Sequence, residues 1–265
     1  MNNSSICGIE TSSGPLFSAK NISKVFPNAE GGFRALSSLN LDIFEGECLL
    51  IAGSNGSGKT VLMRILSGLM DPSEGEIFFK GKPLSDAGKN LRREVGLVFQ
   101  DADAQILGET VEEDIAFGPK NLGLSKDETG RRLEEALAAL ALTEKRTFAP
   151  RRLSGGEKRR LAVAGILAMG CSTVIMDEPF ANLDWPGVVQ TLEIIVNLKK
   201  NGKTVIVLTH ELEKALALAG RLVILHRGTI QDSGNPEEVL DRLESVWGVR
   251  DPRRNYAKIE DCTWL

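Results

Sequence analysis

The stretch GSNGSGKT, from Gly53 to Thr60, constrains the fold of this chain more than any other part of its sequence. It follows the apolar run ECLLIAG and precedes apolar residues at helical spacing, so it joins a predicted buried strand to a predicted helix. Glycines let backbone N–H groups turn inward around an anion, and a helix N-terminus adds positive potential. The pattern predicts a phosphate-binding loop in which Lys59 reaches the β- and γ-phosphates and Thr60 offers a hydroxyl to Mg²⁺. The residues expected to contact the phosphate-bearing ligand are Gly53, Ser54, Asn55, Gly56, Ser57, Gly58, Lys59 and Thr60.

Four short apolar runs, ECLLIAG, STVIMDEP, KTVIVLTH and RLVILHRG, are typical of strands buried on both faces of a parallel sheet. Helical patterns separate some of them. One predicted helical face carries Val61, Leu62, Ile65, Leu66 and Leu69. A second predicted helix, which carries Leu192, Ile195, Val196 and Lys199, ends at Asn201-Gly202. Strands and helices that alternate in this way predict an α/β fold.

Two regions depart from that pattern. Residues 16–50 alternate apolar and polar side chains around a glycine-rich turn at 30–32, which predicts antiparallel strands. Residues 101–152 have a mostly helical pattern and predict a helical lobe inserted into the α/β core. Two pairs in this lobe have the spacing of capping boxes, Thr110 with Glu113 and Ser125 with Glu128.

The organisation expected from these patterns is a flexible leader over 1–15, one domain over 16–240 that contains the helical lobe, and a polar tail over 241–265. A chain of 265 residues is long enough to bury a sizeable core. The N-terminal residues lack the charged and apolar regions of a signal peptide. No apolar run approaches the roughly 20 residues of a membrane span, so any work at a membrane would need another chain to span it.

Charge and cysteine content exclude other classes of function. The formal net charge of −4 argues against a nucleic-acid partner, which usually requires a basic face. The cysteines Cys7, Cys48, Cys171 and Cys262 are widely spaced and include no CxxC pair, so a zinc site is not expected. They are predicted to be reduced thiols, and Cys48 and Cys171 lie beside apolar runs as core residues do.

The run VIMDEP, which ends at Pro179, is an apolar strand that finishes in two acids. Asp177 at the strand tip is predicted to hold Mg²⁺, directly or through water. Glu178 is predicted to orient and deprotonate an attacking water. Adjacent strand residues point in opposite directions, so two acids with two roles are plausible. An acidic strand end alone is weak evidence, but together with the phosphate-binding loop it is specific.

A second helix N-terminus is predicted at Ser154, Gly155 and Gly156 in the run RRLSGGEKRRLAVAGILAM. Exposed N–H groups and the helix dipole would favour an anion there. The alternative is an ordinary serine N-cap with glycines for tight packing. The residues alone do not decide between the two.

The order of these motifs resembles that of ATP-binding-cassette (ABC) ATPases over about residues 16–240. LSGGE resembles the signature motif of the family. Gln100 lies at the position of the Q-loop, ANLD (181–184) at that of the D-loop, and His210 in LTHEL at that of the switch histidine. The resemblance implies a P-loop NTPase core with an antiparallel β subdomain and an inserted α-helical subdomain. It also implies ATP hydrolysis with Mg²⁺, carried by Glu178, His210 and Gln100, with Gln100 also near the metal.

The resemblance further implies that two such domains pair head to tail, as a homodimer or with a similar chain. Each ATP would lie between the phosphate loop of one copy and Ser154, Gly155 and Gly156 of the other. Phe26 in KVFP matches the aromatic residue that stacks on adenine, usually a tyrosine. Ordinary core packing is the alternative for Phe26. Val61 replaces a common threonine, which removes one side-chain contact to phosphate.

The segment after Gln100, with TVEEDIAFGPKNLGL, resembles the ATPase subunits of energy-coupling factor importers, which serve vitamin or transition-metal uptake. In that group Asp103 and Gln105 match recurrent positions. The resemblance implies an integral membrane coupling subunit, a separate substrate-binding membrane subunit, and a location at the cytoplasmic face of the membrane. We hypothesise that acids of this segment form a groove for a cationic helix of the membrane subunit: Asp101, Asp103, Glu112, Glu113 and Asp114. The alternatives are another class of ABC transporter and a soluble, assembly-type ABC ATPase.

Overall fold

The computed structural model describes residues 14–27 and 32–253. Most of the predicted leader, most of the glycine-rich turn at 30–32 and the end of the predicted tail lie outside these residues. Within them the chain forms two sheets and a set of helices. The α/β class expected from the apolar runs is confirmed, as is the antiparallel part predicted near the N-terminus.

The smaller sheet is antiparallel and has the strand order β2-β1-β4-β5. Its strands are β1 (Phe17–Phe26), β2 (Phe33–Ile43), β4 (Glu74–Phe79) and β5 (Lys82–Pro83). The register of β1 against β2 shifts at three places along the pair. Such irregularities bend a strand and increase its twist.

The larger sheet has the order β10-β9-β3-β8-β7-β6. Its strands are β3 (Cys48–Ala52), β6 (Val95–Val98), β7 (Thr173–Asp177), β8 (Thr204–Thr209), β9 (Arg221–His226) and β10 (Thr229–Gly234). The strands β9-β3-β8-β7-β6 are parallel, and β10 is an antiparallel edge strand. The four predicted parallel strands correspond to β3, β7, β8 and β9. Helices cover both faces, which is why these strands are apolar throughout.

Eight α-helices occur in the described residues. They are α1 (Lys59–Leu66), α2 (Leu84–Glu94), α3 (Val111–Asn121), α4 (Lys126–Ala139), α5 (Gly155–Met169), α6 (Trp185–Lys200), α7 (Leu212–Ala215) and α8 (Pro236–Asp241). Short 3-10 turns occur at Thr143–Lys145, Pro150–Arg152, Leu216–Leu218 and Ser245–Trp247. None of the described helices is both long enough and apolar enough to cross a bilayer.

One helix prediction is wrong at its end. The stripe assigned to the helix after the phosphate loop included Leu69, but α1 ends at Leu66 and Leu69 is exposed. The chain turns at Ser67 and at Gly68, whose φ of 69° is in the left-handed region. The three apolar residues Leu62, Ile65 and Leu66 of the predicted stripe are buried as expected. The helix predicted to end at Asn201-Gly202 is α6, and its end is confirmed.

The helical lobe consists of α3 and α4, and α5 packs against both of them. The residues 101–152 remain the predicted extent of the lobe, although its apolar contacts continue into α5 through residues such as Leu161. Each of the two predicted capping boxes has only half of its hydrogen bonds. Thr110 and Ser125 accept from the backbone N–H groups three residues later, whereas Glu113 and Glu128 bind elsewhere.

Part of the predicted tail packs on the core. Val249 is buried, and the Trp247 carbonyl oxygen lies 3.2 Å from Nδ1 of His226. Cys48 and Cys171 are buried free thiols, as predicted, and burial raises the pKa of Cys171 to about 11.

Candidate functional site

The phosphate-binding loop connects the end of β3 to the start of α1, as the sequence predicts. Glycine is required at two of its positions by close approach of other backbone. A Cβ at Gly53 would lie 2.2 Å from the Leu225 carbonyl oxygen, and one at Gly58 would lie 2.8 Å from that of Ala35. Gly58 also has φ of 107°. Strands β9 and β2 therefore fix the shape of this loop from outside.

Lys59 begins α1, and its side chain bends back over the loop. Its Nζ donates hydrogen bonds to the carbonyl oxygens of Gly53 at 2.7 Å and Ser54 at 3.2 Å. The same ammonium lies 3.2 Å from Oε1 of Glu178. A buried lysine is stable as a cation only with such partners. The loop thus holds a positive charge at the place where a phosphate would enter.

Thr60 and Asp177 meet beside the loop. The Thr60 hydroxyl donates to Oδ2 of Asp177 at 2.9 Å, while the other carboxylate oxygen, Oδ1, is buried and has no hydrogen-bond partner among the described residues. Burial raises the pKa of Asp177, and the hydrogen bond from Thr60 opposes the change. A hydroxyl and an unpaired carboxylate oxygen are suitable ligands for Mg²⁺, which is usually held by one or two carboxylates and substrate phosphates. The residues therefore fit the predicted metal.

Glu178 follows β7 and is held in place from three sides. Its backbone has φ of 47°, a costly value for a residue with a Cβ, and its N–H donates to the Leu208 carbonyl. Oε2 lies 2.9 Å from Nδ1 of His210 and accepts from the His210 N–H. Burial acts to raise the pKa of Glu178, but the hydrogen bond from His210 and the charge of Lys59 prevail and lower it. The carboxylate is ionised and aimed into the site.

One pocket collects most of the predicted residues. It is lined by the phosphate loop from Asn55 to Val61 and by Gln100, Glu178 and His210. The sequence placed these side chains in four separate motifs, and the structure brings them together. Ala35 and Phe33 of β2 also line the pocket, and sequence reasoning missed both. Their spacing of two residues on a strand indicates a shared face, but the sequence does not show that this strand passes the phosphate loop.

Phe33 is the aromatic side chain in this pocket, and it is 56% exposed. Phe26, the residue predicted to stack on adenine, lies directly opposite Phe33 in the β1–β2 pair. It is half-buried, and the ammonium of Lys24 lies 5.6 Å from its ring centre. The role of Phe26 stays a prediction, because Phe26 is not among the residues that line the pocket.

The motif at Ser154 forms the N-terminus of α5, away from this pocket. Ser154 and Glu157 form a complete capping box, with both reciprocal hydrogen bonds present. Tight packing does not explain the glycines. A Cβ at Gly155 would meet nothing within 4 Å, and one at Gly156 would meet only the Gln190 side chain at 3.8 Å. The packing alternative considered from sequence is therefore wrong within this chain.

The residues after Gln100 have structural partners of their own. The Gln105 amide accepts from the N–H of Phe99 and donates to the Leu97 carbonyl, and so it continues the hydrogen bonding of β6 at the sheet edge. The acids of the proposed groove are also engaged within the chain. Asp103 pairs with Lys158, Glu112 with Arg146, and Asp101, Glu113 and Asp114 accept backbone N–H groups. A cationic helix of a partner would therefore compete with these internal contacts, and the groove stays a prediction.

Comparison with known proteins shows the family to which this chain belongs. The profile of the family described as "ABC transporter" matches residues 36–181. The energy-coupling factor transporter ATP-binding protein EcfA of Methanocaldococcus jannaschii is 39% identical over 218 residues, which are 81% of this chain and 78% of that protein. The cobalt import ATP-binding protein CbiO of Rhodobacter capsulatus is 42% identical over 243 residues, 90% of this chain and 86% of that protein.

Solved structures give the same result. CbiO1 from Clostridium perfringens, part of the ABC transporter complex cbiONQ, superposes with a TM-score of 0.78 at 32% identity, over 86% of this chain and 92% of that one. A dimeric ATP-binding cassette in a post-hydrolysis state, bound to ADP and Pi, superposes with a TM-score of 0.75 at 28% identity, over 83% of this chain and 99% of that one.

The fold and the site define an ABC-type P-loop ATPase, and the chain belongs to the ABC transporter family. Within the family it is an ATP-binding subunit of the energy-coupling factor type.

Proposed function

We propose that this chain hydrolyses ATP between two head-to-tail copies, or between itself and a similar chain, and so drives a micronutrient importer from the cytoplasmic face of the membrane. The observation that carries the proposal is the pocket shared by the phosphate loop, Gln100, Glu178 and His210. ATP would place its phosphates on the loop N–H groups and on Lys59. These donors stabilise the charge that develops on the transferred phosphoryl group.

The chemical step assigned to the site is direct attack of water on the γ-phosphorus. Glu178 orients the water and accepts its proton, while the bond between the γ-phosphorus and the bridging oxygen breaks to release ADP. The ion pair with Lys59 and the contact with His210 keep the carboxylate ionised, as a general base requires. Thr60 and Asp177, with Gln100 nearby, would hold Mg²⁺, whose charge neutralises the phosphates.

The second half of the site would come from the partner copy. Gly155 and Gly156 have open space in front of them, so their backbone N–H groups are accessible to a phosphate. A side chain at either position would keep the phosphate away from the helix N-terminus. The dimeric relative bound to ADP and Pi supports this arrangement.

A membrane subunit would dock on the helical lobe. Leu107 is 66% exposed, and Phe117 on α3 is 46% exposed. The Asp114 carboxylate accepts from the N–H groups of Leu107 and Gly108 and lies one helical turn before Phe117. The Asp114 carboxylate thereby holds the backbone of Leu107 against the first turn of α3. The relative named for cobalt import supports a transition-metal ion as cargo, and the resemblance to energy-coupling factor importers leaves a vitamin as the alternative.

The test is co-purification of the tagged chain with detergent-solubilised membrane proteins. Leu107→Glu and Phe117→Glu are expected to lose the multi-span partner and keep ATP binding. Val246→Glu is the matched control, because Val246 is an apolar residue with the same 66% exposure in another part of the chain. Recovery of soluble partners alone would move the chain to the assembly-type ATPases. Equal recovery by all the variants would remove the lobe as the docking surface.

A further inference from the structure

Arg159 is a buried cation that the catalytic scheme does not use. It lies in the second turn of α5, and only 6% of its surface is exposed. Its guanidinium donates to three backbone carbonyls, those of Pro179, Ala181 and Gln100; Nη2 lies 3.1 Å from the Gln100 oxygen, and Nη1 lies 3.4 Å from that of Ala181. Three segments distant in sequence therefore meet at one side chain.

The charge of Arg159 has no carboxylate partner among the described residues. Burial lowers the pKa of Arg159, and the carbonyl dipoles are the groups that stabilise its cation. Its Nε, also buried, has no hydrogen-bond partner in the described part of the chain. A buried guanidinium that loses its acceptors pays a large desolvation cost. The side chain therefore resists any motion that separates it from these carbonyls.

The path of the chain through the lobe shows which segments the Arg159 contacts connect. The chain leaves the α/β core after Gln100, forms α3 and α4, and returns along α5. Arg159 therefore links α5, along which the chain returns to the core, to the backbone of Gln100, where the chain leaves it. Its other two acceptors, the carbonyls of Pro179 and Ala181, lie within three residues after Glu178. The side chain of Gln100 lines the pocket, and Ser154 caps the same helix that carries Arg159.

We propose that Arg159 is a positioning residue that holds the Gln100 backbone, the segment after Glu178 and α5 in one fixed relation. The proposal rests on the ATPase function described above. A displacement of Gln100 when the pocket is occupied is then transmitted to Ser154–Gly156 through the guanidinium and less than two turns of α5. Arg159 is not among the described residues that line the nucleotide pocket. Its loss is expected to disturb alignment of the reacting groups and leave the phosphate loop intact.

Arg132 provides a matched control. Its guanidinium, like that of Arg159, donates to backbone carbonyls. The acceptors are Ala168 at 3.3 Å and Met169 at 3.0 Å, at the C-terminal end of α5. Arg159→Met and Arg132→Met each remove a guanidinium that connects α5 to another segment through backbone carbonyls. Both are expected to lower the melting temperature. Only one of them lies at the junction of the lobe with the active site.

The measurements are kcat and KM for ATP in the purified chain, ADP affinity and thermal unfolding. For Arg159→Met we expect kcat to fall about 10- to 100-fold, the range that slight misplacement of reacting groups produces, with KM and ADP affinity within about threefold. Arg132→Met is expected to keep the wild-type kcat. Equal losses of kcat in the two variants, or wild-type kcat in Arg159→Met, would overturn the proposal.

Arg159→Lys covers the case in which the methionine variant does not fold. Lysine keeps the charge, but it lacks the planar fork that reaches two segments at once. We expect intermediate kcat at a melting temperature near that of wild type, and full kcat in this variant would contradict the need for the fork. Wild-type hydrolysis that Glu178→Gln abolishes establishes the ATPase function separately, so a failure of the Arg159 proposal is not confused with a failure of the function.

Discussion

Nζ of Lys59 lies 3.2 Å from Oε1 of Glu178, and each side chain is more than nine-tenths buried. The cation predicted to bind phosphate and the carboxylate predicted to activate water are therefore partners of each other. Phosphate oxygens that reach Lys59 compete with Glu178 for the same ammonium. The carboxylate also repels the incoming phosphates, so it opposes nucleotide binding while it supports hydrolysis.

Glu178→Gln is expected to separate these two effects. Glutamine cannot accept the proton of water, so turnover should fall at least about 100-fold, in the range of general-base losses. ATP should bind more tightly, because the competing negative charge is gone. Equilibrium binding and phosphate release measure the two quantities. Glu213→Gln, an exposed residue of α7, is the control. Weaker ATP binding in Glu178→Gln would contradict the competition between Glu178 and phosphate.

Phe33→Ala tests which aromatic side chain stacks on the adenine of ATP. Stacking on an aromatic ring is worth about 1–3 kcal/mol per base, so ATP affinity should fall about 5- to 150-fold. Affinity for inorganic tripolyphosphate, which has no base, should be unchanged. If Phe26→Ala instead gives the selective loss of ATP affinity, Phe26, the residue predicted from sequence, is the one that stacks on adenine. Equal losses in both variants indicate that the two rings share the base.

Alanine substitutions at Gly155, at the start of α5, and at Gly53, in the phosphate-binding loop, are expected to have opposite effects on the free energy of unfolding. Gly155→Ala adds a Cβ into open space at a helical position, so the free energy of unfolding should stay constant or rise by about 0.5–1 kcal/mol. Activity should fall, because the Cβ obstructs the approach of the partner's ATP. Gly53→Ala places a Cβ 2.2 Å from a carbonyl oxygen and should destabilise the fold itself. Full activity in Gly155→Ala would argue against the shared site.

The pH dependence of stability is expected to report the Lys145–Glu157 contact at the base of α5. A hydrogen bond from Lys145, assisted by the Ser154 N–H, lowers the pKa of Glu157 below its ordinary value of 4.5. The unfolded chain binds this proton more readily, so the contact stabilises the fold above that value, and the stabilisation is lost as the pH falls through the lowered pKa. Urea unfolding of Lys145→Met should show its full deficit at neutral pH and a shrinking one below 4.5. A deficit that is independent of pH would contradict this assignment.

Sequence reasoning reached most of the nucleotide pocket because its residues belong to contiguous motifs. A phosphate loop can be read from spacing, and so can an acidic strand end. Phe33 was missed because its position in the pocket depends on how β2 passes the loop, which no local pattern encodes. The position of Gln105 was noted from the resemblance, but the hydrogen bonding of its amide to the edge strand β6 was not predicted. The length of the apolar stripe suggested that Leu69 is helical, but the backbone turns at Gly68.

The acids after Gln100 show a different limit of sequence reasoning. They were predicted to form a groove for a cationic helix, and the structure adds internal partners that the sequence did not indicate, Lys158 for Asp103 and Arg146 for Glu112. The basic partners lie far along the chain, so the sequence gives no sign of the pairing. The strands β4, β6 and β10 were likewise not assigned to their sheets. The first three residues of β4 are exposed, β6 has only four residues and lies at an edge, and β10 is an edge strand with mixed burial.

The most direct test of the shared ATP site is the mass of the purified Glu178→Gln protein in solution, measured by sedimentation with Mg²⁺ and either ATP or ADP. We expect a dimer with ATP and a monomer with ADP, and a monomer with ATP when Gly155→Ala is added. A monomer under all conditions, or a dimer that forms equally with ADP, would contradict the closure of two copies around ATP.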